Sequence, residues 1–232
     1  MSLPKQQLPI FTTEVPSTGG KYTYRPFTVK EEKALALAQE TKEDDTIFTA
    51  IAEVLNECFH HKFDARDLAI FDVEYLLTQV RAKSVGEMVT FRLSCDADPE
   101  HERTPYNLDI TKHKIEFPKT HAKRIDLFDD VGVVMRYPKF SEFKAITEMN
   151  DVETIALCID FIYEGDQIYK ATDHTMKERI EFIESLSKKQ KEKIEEIFFK
   201  TIPIFEVVME WECMVCKHQH KKTIRGIHNF FI

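Results

Sequence analysis

The chain has 232 residues, 43% hydrophobic and 31% charged, and its 32 Lys and Arg against 40 Asp and Glu give a formal net charge of −8. That is a soluble globular composition, and 18 Phe with 7 Tyr supply enough apolar area for a core, which excludes a small disulfide-stapled scaffold. No apolar run approaches the roughly 20 residues that span a bilayer, the N-terminus lacks a signal-peptide layout, and the negative charge disfavours general nucleic-acid affinity, so a cytoplasmic protein with neither membrane nor nucleic acid as partner is expected.

Residues 8–15 and 21–27 are short β-branched and aromatic runs separated by Pro16-Ser17-Thr18-Gly19-Gly20, which predicts a β-hairpin. A loose Pro-containing arm is the alternative, because three of the nine prolines lie in the first sixteen residues. Thr28 and Glu31 have capping-box spacing and start a helix of about three turns through Ala34 and Ala38. The acidic run Glu40 to Asp45 reads as a solvated loop that caps a second helix, where Ile47, Ile51, Val54, Leu55 and Cys58 share a face. Ile70, Val73, Leu77 and Val80 mark a third, ended by Gly86.

Alternation then takes over: Met88 to Cys95 predicts a strand, Asp96 to Pro105 a polar loop, and Tyr106 to Ile110 the return strand. Val131 to Tyr137 predicts a further strand, with Asp129 and Asp130 as its turn residues. A helical block is expected from about 141 to 200, with capping boxes at Asn150, Thr175 and Ser187 and apolar stripes at Ile155, Ile159, Ile162 and at Met176, Ile180, Ile183. The Lys-rich start of its last helix, Lys188 to Lys200, is interleaved with glutamates and reads as a solvated face. Ile204 to Trp211 predicts a strand, Cys213-Met214-Val215-Cys216 a knuckle, and Lys221 to Ile232 the return.

The sharpest chemical signal is that Cys-x-x-Cys, since two thiolates at this spacing reach one tetrahedral ion and two further ligands complete a structural zinc site. Two completions are available: the local His218 and His220, or Cys95 with His101 from the earlier hairpin. The second is preferred, because His218 and His220 alternate along a strand and are hard to aim at one ion. Asp98 stands three residues after Cys95 and could serve as a poor substitute ligand. The bland alternative is a pair of reduced thiols left from a decayed site. A redox pair is disfavoured because the motif follows a strand and lacks the activating helix N-terminus.

Catalytic signatures are thin: G-x-S-x-G, H-E-x-x-H, the P-loop and G-x-G-x-x-G do not occur. His60 and His61 read as a helix-end pair meeting terminal carbonyls, Cys58 and Cys158 as core, and Trp211 as packing beside the knuckle.

Three longer strings resemble a known family. Val15-Pro-Ser-Thr-Gly19, Tyr24-Arg-Pro-Phe-Thr-Val-Lys-Glu-Glu-Lys33 and the segment Phe71 to Glu87 resemble the baseplate hub assembly proteins of T4-type contractile-tailed bacteriophages. The resemblance covers most of the chain and is sharpest over residues 15–95. It implies a non-enzymatic tail morphogenesis protein, either a baseplate hub subunit or a hub assembly factor, whose partners are other hub and tail proteins in the host cytoplasm. It also implies Cys-Pro-x-Cys-Gly-like knuckles after both strand segments; this sequence keeps Cys213 and Cys216 but has Cys95 with Asp98 in place of the second cysteine, which shifts the fourth ligand to His101.

The expected architecture is α+β: an arm and first hairpin strand (1–20), a second hairpin strand with helices (21–85), a zinc-ribbon-like β module built from 86–118 and 203–232, and a helical insertion (119–202). Its candidate metal ligands are Cys95, His101, Cys213 and Cys216, holding one structural zinc. The alternative reading is a zinc-ribbon adaptor that uses Lys217 to Arg225 to bind nucleic acid or a transcription or replication complex.

Overall fold

Two four-residue strands, β1 (Phe11–Glu14) and β2 (Lys21–Tyr24), pair antiparallel with Phe11 opposite Tyr24 and Glu14 opposite Lys21, which is the expected hairpin. The computed structural model describes residues 6–225. So short a ribbon is marginal by itself and needs an apolar support. Here Val15 and Tyr24 are buried, Tyr24 stacks on Phe59 with ring centroids 5.3 Å apart, and Tyr22 meets Phe63 edge-on at 5.2 Å.

Three helices follow: α1 (Val29–Thr41), α2 (Asp44–Cys58) and α3 (Ile70–Ser84). The carboxylate of Glu31 accepts the Thr28 N–H at 2.6 Å, so the predicted capping box starts α1, and Arg25 pairs with the same carboxylate at 2.9 Å. Helix α3 is buried on more than one face, with Phe71, Val73, Leu76, Leu77, Val80 and Ala82 in the interior. Fully burying side chains of this size contributes about 1.5–3 kcal/mol each before the cost of ordering them. Asp72 near its start is fully buried and accepts the Ser17 N–H at 2.8 Å, which ties the hairpin turn to this helix. Gly86 follows with φ +145°, a backbone conformation that favours glycine. Then β3 (Met88–Leu93) and β4 (Thr104–Asp109) pair antiparallel, Val89 opposite Leu108 and Leu93 opposite Thr104.

The chain forms two units, one made of the chain up to Ile115 together with that from Ile204, the other of Glu116–Pro203. The second unit carries β5 (Arg124–Phe128), β6 (Val131–Met135), α4 (Phe143–Glu148), α5 (Asp151–Leu157), β7 (Ile159–Glu164), β8 (Gln167–Lys170), α6 (Met176–Ser185) and α7 (Lys188–Ile197). Its four strands form one antiparallel sheet in sequence order.

This corrects the expectation of a helical insertion. Helix α5 stops at Leu157, and Ile159 and Ile162, read as a helical stripe with Ile155, lie on β7 instead. Spacings of four and three residues fit a helix face, but Ile159-Asp160-Phe161-Ile162-Tyr163 is also a β-branched and aromatic run, and Gly165-Asp166 supplies a two-residue hairpin connection to β8. The capping boxes at Asn150, Thr175 and Ser187 all form and start α5, α6 and α7. On α7 two of the lysines pair one turn on with glutamates, Lys188 with Glu192 and Lys191 with Glu195, as a solvated face should, while Ile194 is fully buried.

Two devices hold this unit together. Arg136 at the end of β6 donates to both oxygens of Glu142, at 2.8 and 2.7 Å, and to the Leu157 carbonyl at 2.8 Å, so one guanidinium joins the sheet, the turn before α4 and the end of α5. Tyr163 lies over Gly132, its partner in register on β6, hydrogen-bonds Asp126, and packs under the Arg124 guanidinium at 4.1 Å.

The last strands, β9 (Glu206–Glu212) and β10 (Gln219–Arg225), form an antiparallel hairpin with Trp211 opposite His220. The return strand thus begins two residues earlier than expected, and its expected end, 226–232, lies outside the described residues. Val207, Met209, Trp211 and Ile224 of this hairpin join Val89, Leu93 and Leu108 of β3 and β4, with Ala82, Ile110 and Phe205, in one apolar cluster. The whole is α+β, with small antiparallel sheets.

A Cβ added at Gly132 would sit 2.0 Å from the Tyr163 hydroxyl and 2.6 Å from the Ile125 carbonyl oxygen. Gly132→Ala is therefore expected to destabilise the protein by about 1–3 kcal/mol through overpacking, read as a lowered denaturant midpoint in chemical unfolding. Gly165→Ala, with nothing within 4 Å but φ +56°, should cost less.

Candidate metal centre

The two hairpins present their loops to one point. Cys95 lies two residues beyond β3 and His101 three residues before β4; Cys213 directly follows β9, and Cys216 ends the knuckle before β10. One ligand atom from each of these four residues can be chosen so that all lie within 4.8 Å of one another. Cys95 Sγ is 3.6 Å from Cys216 Sγ, and Cys213 Sγ is 3.7 Å from His101 Nδ1. For thiolate and imidazole ligands at about 2.3 and 2.0 Å from a tetrahedral ion, the edges would be roughly 3.8 Å between sulfurs and 3.5 Å from sulfur to nitrogen. The group can hold a metal ion, and three thiols with one imidazole are the donors such an ion needs.

The backbone is folded to serve these sulfurs. The Cys213 N–H donates to the His218 carbonyl at 2.9 Å and the Lys217 N–H to the Cys213 carbonyl at 3.0 Å, closing the knuckle, with Lys217 at φ 61°. The Met214 N–H donates to Thr104 Oγ1 at 3.2 Å, joining the knuckle to the start of β4.

These contacts set the thiol chemistry. Removal from water pushes the Cys95 thiol up, but hydrogen bonds from His101 and from the backbone N–H groups of Asp98 and Ala97 outweigh it and bring it to about 6. Cys213 is also lowered, chiefly by the Cys216 N–H. For Cys216 the His218 N–H acts downward, yet burial and the two neighbouring sulfurs leave it raised. His101 is raised, first by its hydrogen bond to Cys95. A site that keeps one thiol anionic near neutral pH and lowers a second beside it is prepared for a cation.

The other completion does not form. His220 is buried, its Nδ1 lies 3.3 Å from Asp96 Oδ2, and its ring stacks on Trp211 with centroids 5.0 Å apart, while His218 lies against the edge of His220 at 4.7 Å. Neither belongs to the four-residue group. Nor does Asp98, which as a substitute ligand would have to face the sulfurs; its Oδ2 lies instead 3.4 Å from Nε2 of His101, on the far side of the ring. Three of the cations of the stretch 217–225 pair with glutamates of β9: Lys217 with Glu212, Lys221 with Glu210 at 2.8 Å, and Arg225 with Glu206 at 2.8 Å.

A family model described as T4 bacteriophage base plate protein matches residues 8–232. The chain belongs to this family. No curated protein and no solved structure matches it.

In this base plate protein the three strings that resemble the family meet in space. Ser17 bonds Asp72, the Tyr24 hydroxyl donates to the Gln79 carbonyl at 3.5 Å, and the Phe27 N–H donates to Ser84 Oγ at 2.9 Å. They anchor the hairpin and the start of α1 along α3, away in sequence from the sulfurs. Cys58 and Cys158 are fully buried, and burial pushes both thiols up to about 12, as core cysteines should behave. His60 and His61 end α2 through their backbones, the His61 N–H donating to the Asn56 carbonyl at 2.8 Å, both with left-handed φ. Asp129 and Asp130 form the turn between β5 and β6. Sequence reading missed the role of Thr104, whose hydroxyl receives the knuckle; a Thr at the first residue of a strand carries no distinguishing signal.

In metal-free protein the Cys95 thiol should be mostly thiolate above pH 6 and protonated below it. Titration of the ultraviolet thiolate absorbance is expected to show a first rise near that pH, which Cys95→Ser removes and Cys58→Ser leaves in place.

Proposed function

We propose that this chain is a non-enzymatic morphogenesis protein of the phage tail, a baseplate hub subunit or hub assembly factor that acts through protein contacts, in the host cytoplasm during assembly and, as a subunit, in the tail baseplate of the virion. The observation that carries the reading is the family match over residues 8–232. The donor chemistry of the four-residue group supports it. A closed set of four protein ligands leaves no open position for substrate or water, which is how structural and not catalytic sites are built. The ion it holds is zinc, bound by Cys95, His101, Cys213 and Cys216, because three thiolates with one imidazole suit a borderline-soft ion of tetrahedral preference. Bound there, zinc would supply a cross-link between the two hairpins.

Protein partners are also favoured by charge. The −8 net charge and the glutamates opposite Lys217, Lys221 and Arg225 reduce what the basic stretch could gain by releasing counterions from a phosphate backbone.

Protein isolated without chelators is expected to contain one zinc per chain by elemental analysis. Cys216→Ser should lose the metal and lower the melting temperature, whereas Cys58→Ser should keep it; wild type that is isolated without chelators, contains no zinc and folds normally in metal-free buffer would sink the zinc assignment. The hub role is tested by quantitative mass spectrometry of purified phage particles beside tail-assembly intermediates from the same infected cells. A whole-number copy in both identifies a subunit, presence in intermediates alone an assembly factor, and absence from both refutes the tail role.

A further inference from the structure

Asp98 touches the metal cluster three ways without belonging to it. Its backbone N–H donates to the Cys95 sulfur, its carbonyl accepts the His101 N–H at 3.2 Å, and its carboxylate Oδ2 stands 3.4 Å from His101 Nε2. The other carboxylate oxygen, Oδ1, accepts the Glu100 N–H at 3.0 Å, so the side chain is held at both ends of its carboxyl group. Meanwhile Nδ1 of the same imidazole faces Cys213 at 3.7 Å. The two ring nitrogens therefore have opposite neighbours, a sulfur on one side and a carboxylate on the other.

A neutral imidazole carries one proton. If Nδ1 is to give its lone pair to an ion, that proton must sit on Nε2, and an acceptor placed there selects this tautomer and fixes the ring. We propose that Asp98 is the positioning residue of the cluster: its carboxylate accepts the Nε2–H of His101 and holds Nδ1 toward the ion. This rests on the zinc reading given above. It assigns a use to the residue that stands in the slot of a second cysteine: the first half of the site recruits an imidazole, and the residue at that slot orients it.

The same loop supplies an internal control. Asp96 has the same charge, is two residues away, and pairs with His220, which is not among the four. Removing it changes the charge of the loop but not the support of His101.

The test uses the full chain, with zinc affinity measured by competition against a chromophoric chelator. Asp98→Ala is expected to weaken zinc binding about 10–100-fold, the usual effect of losing such an outer partner. Asp98→Asn, whose amide oxygen can still accept the Nε2–H, should recover most of the loss, and Asp96→Ala should bind like wild type. Long-range nitrogen–proton NMR of the zinc-loaded wild type should show His101 bound through Nδ1 and protonated on Nε2, and this spectrum does not depend on any variant folding. Equal affinities for Asp98→Ala and Asp96→Ala, or coordination through Nε2, would overturn the proposal while leaving the zinc site standing. A wild type that takes up no zinc, indistinguishable from Cys213→Ser, would overturn both and so marks the failure of the underlying reading.

Discussion

Two hairpins separated by nearly a hundred residues must meet before the sulfur cluster exists. Cys95 and Cys216 are 121 positions apart and in contact, and the apolar face that lies between their hairpins is shared: Val89, Leu93 and Leu108 from one, Val207, Met209, Trp211 and Ile224 from the other. Neither hairpin could bury that face alone, and isolated two-stranded ribbons are marginal in water. The intervening chain must therefore leave one cluster and return to it, and both of its ends do so: Ile115 packs against that cluster, and Phe205 is buried in it. The entropic cost of such a long excursion is modest, because each doubling of a loop adds only about 0.6 kcal/mol. Residues 116–203 can be long provided that they fold by themselves, and their own sheet, with the Arg136 and Tyr163 devices, allows this.

How much of this was legible in the sequence varies with the kind of signal. Capping boxes at Thr28, Asn150, Thr175 and Ser187 were read correctly because they are reciprocal: two residues three apart satisfy each other's backbone, and few other structures want that pair. The stripe Ile155, Ile159, Ile162 misled because period alone does not separate a helix from a buried strand, and the deciding features were the aromatic neighbours Phe161 and Tyr163 with the Gly165-Asp166 turn. The convergence of Cys95, His101, Cys213 and Cys216 was legible as two hairpins with thiols at their ends. The side of His101 on which Asp98 falls was not, since it depends on the course of a ten-residue loop between β3 and β4.

The family signature and the cysteine–histidine cluster are different parts of one unit. The signature strings secure the hairpin against α3 through Ser17, Tyr24, Phe27 and their partners Asp72, Gln79 and Ser84, while Ala82 near the end of that helix enters the cluster shared by the ribbons. A single buried helix thus serves both parts of the unit. The polar residues Asp72 and Thr78 are tolerated in its interior because each has a backbone partner, Asp72 the Ser17 N–H and Thr78 the Glu74 carbonyl at 2.8 Å.

The separation of Cys95 from Cys216 also sets a clock. A ribosome adding 5–20 residues per second needs roughly 6–24 s to pass from the first cysteine to the last. Throughout that interval Val89, Leu93 and Leu108 have no covering strand, and Cys95 with His101 has only half a site. The nascent chain must keep an apolar ribbon and an unpartnered half of the thiol cluster from other contacts for as long as the second unit takes to emerge. Because residues 116–203 form a compact unit of their own, they can fold during that time, and the C-terminal hairpin then need not find its mate across an unfolded segment of nearly ninety residues.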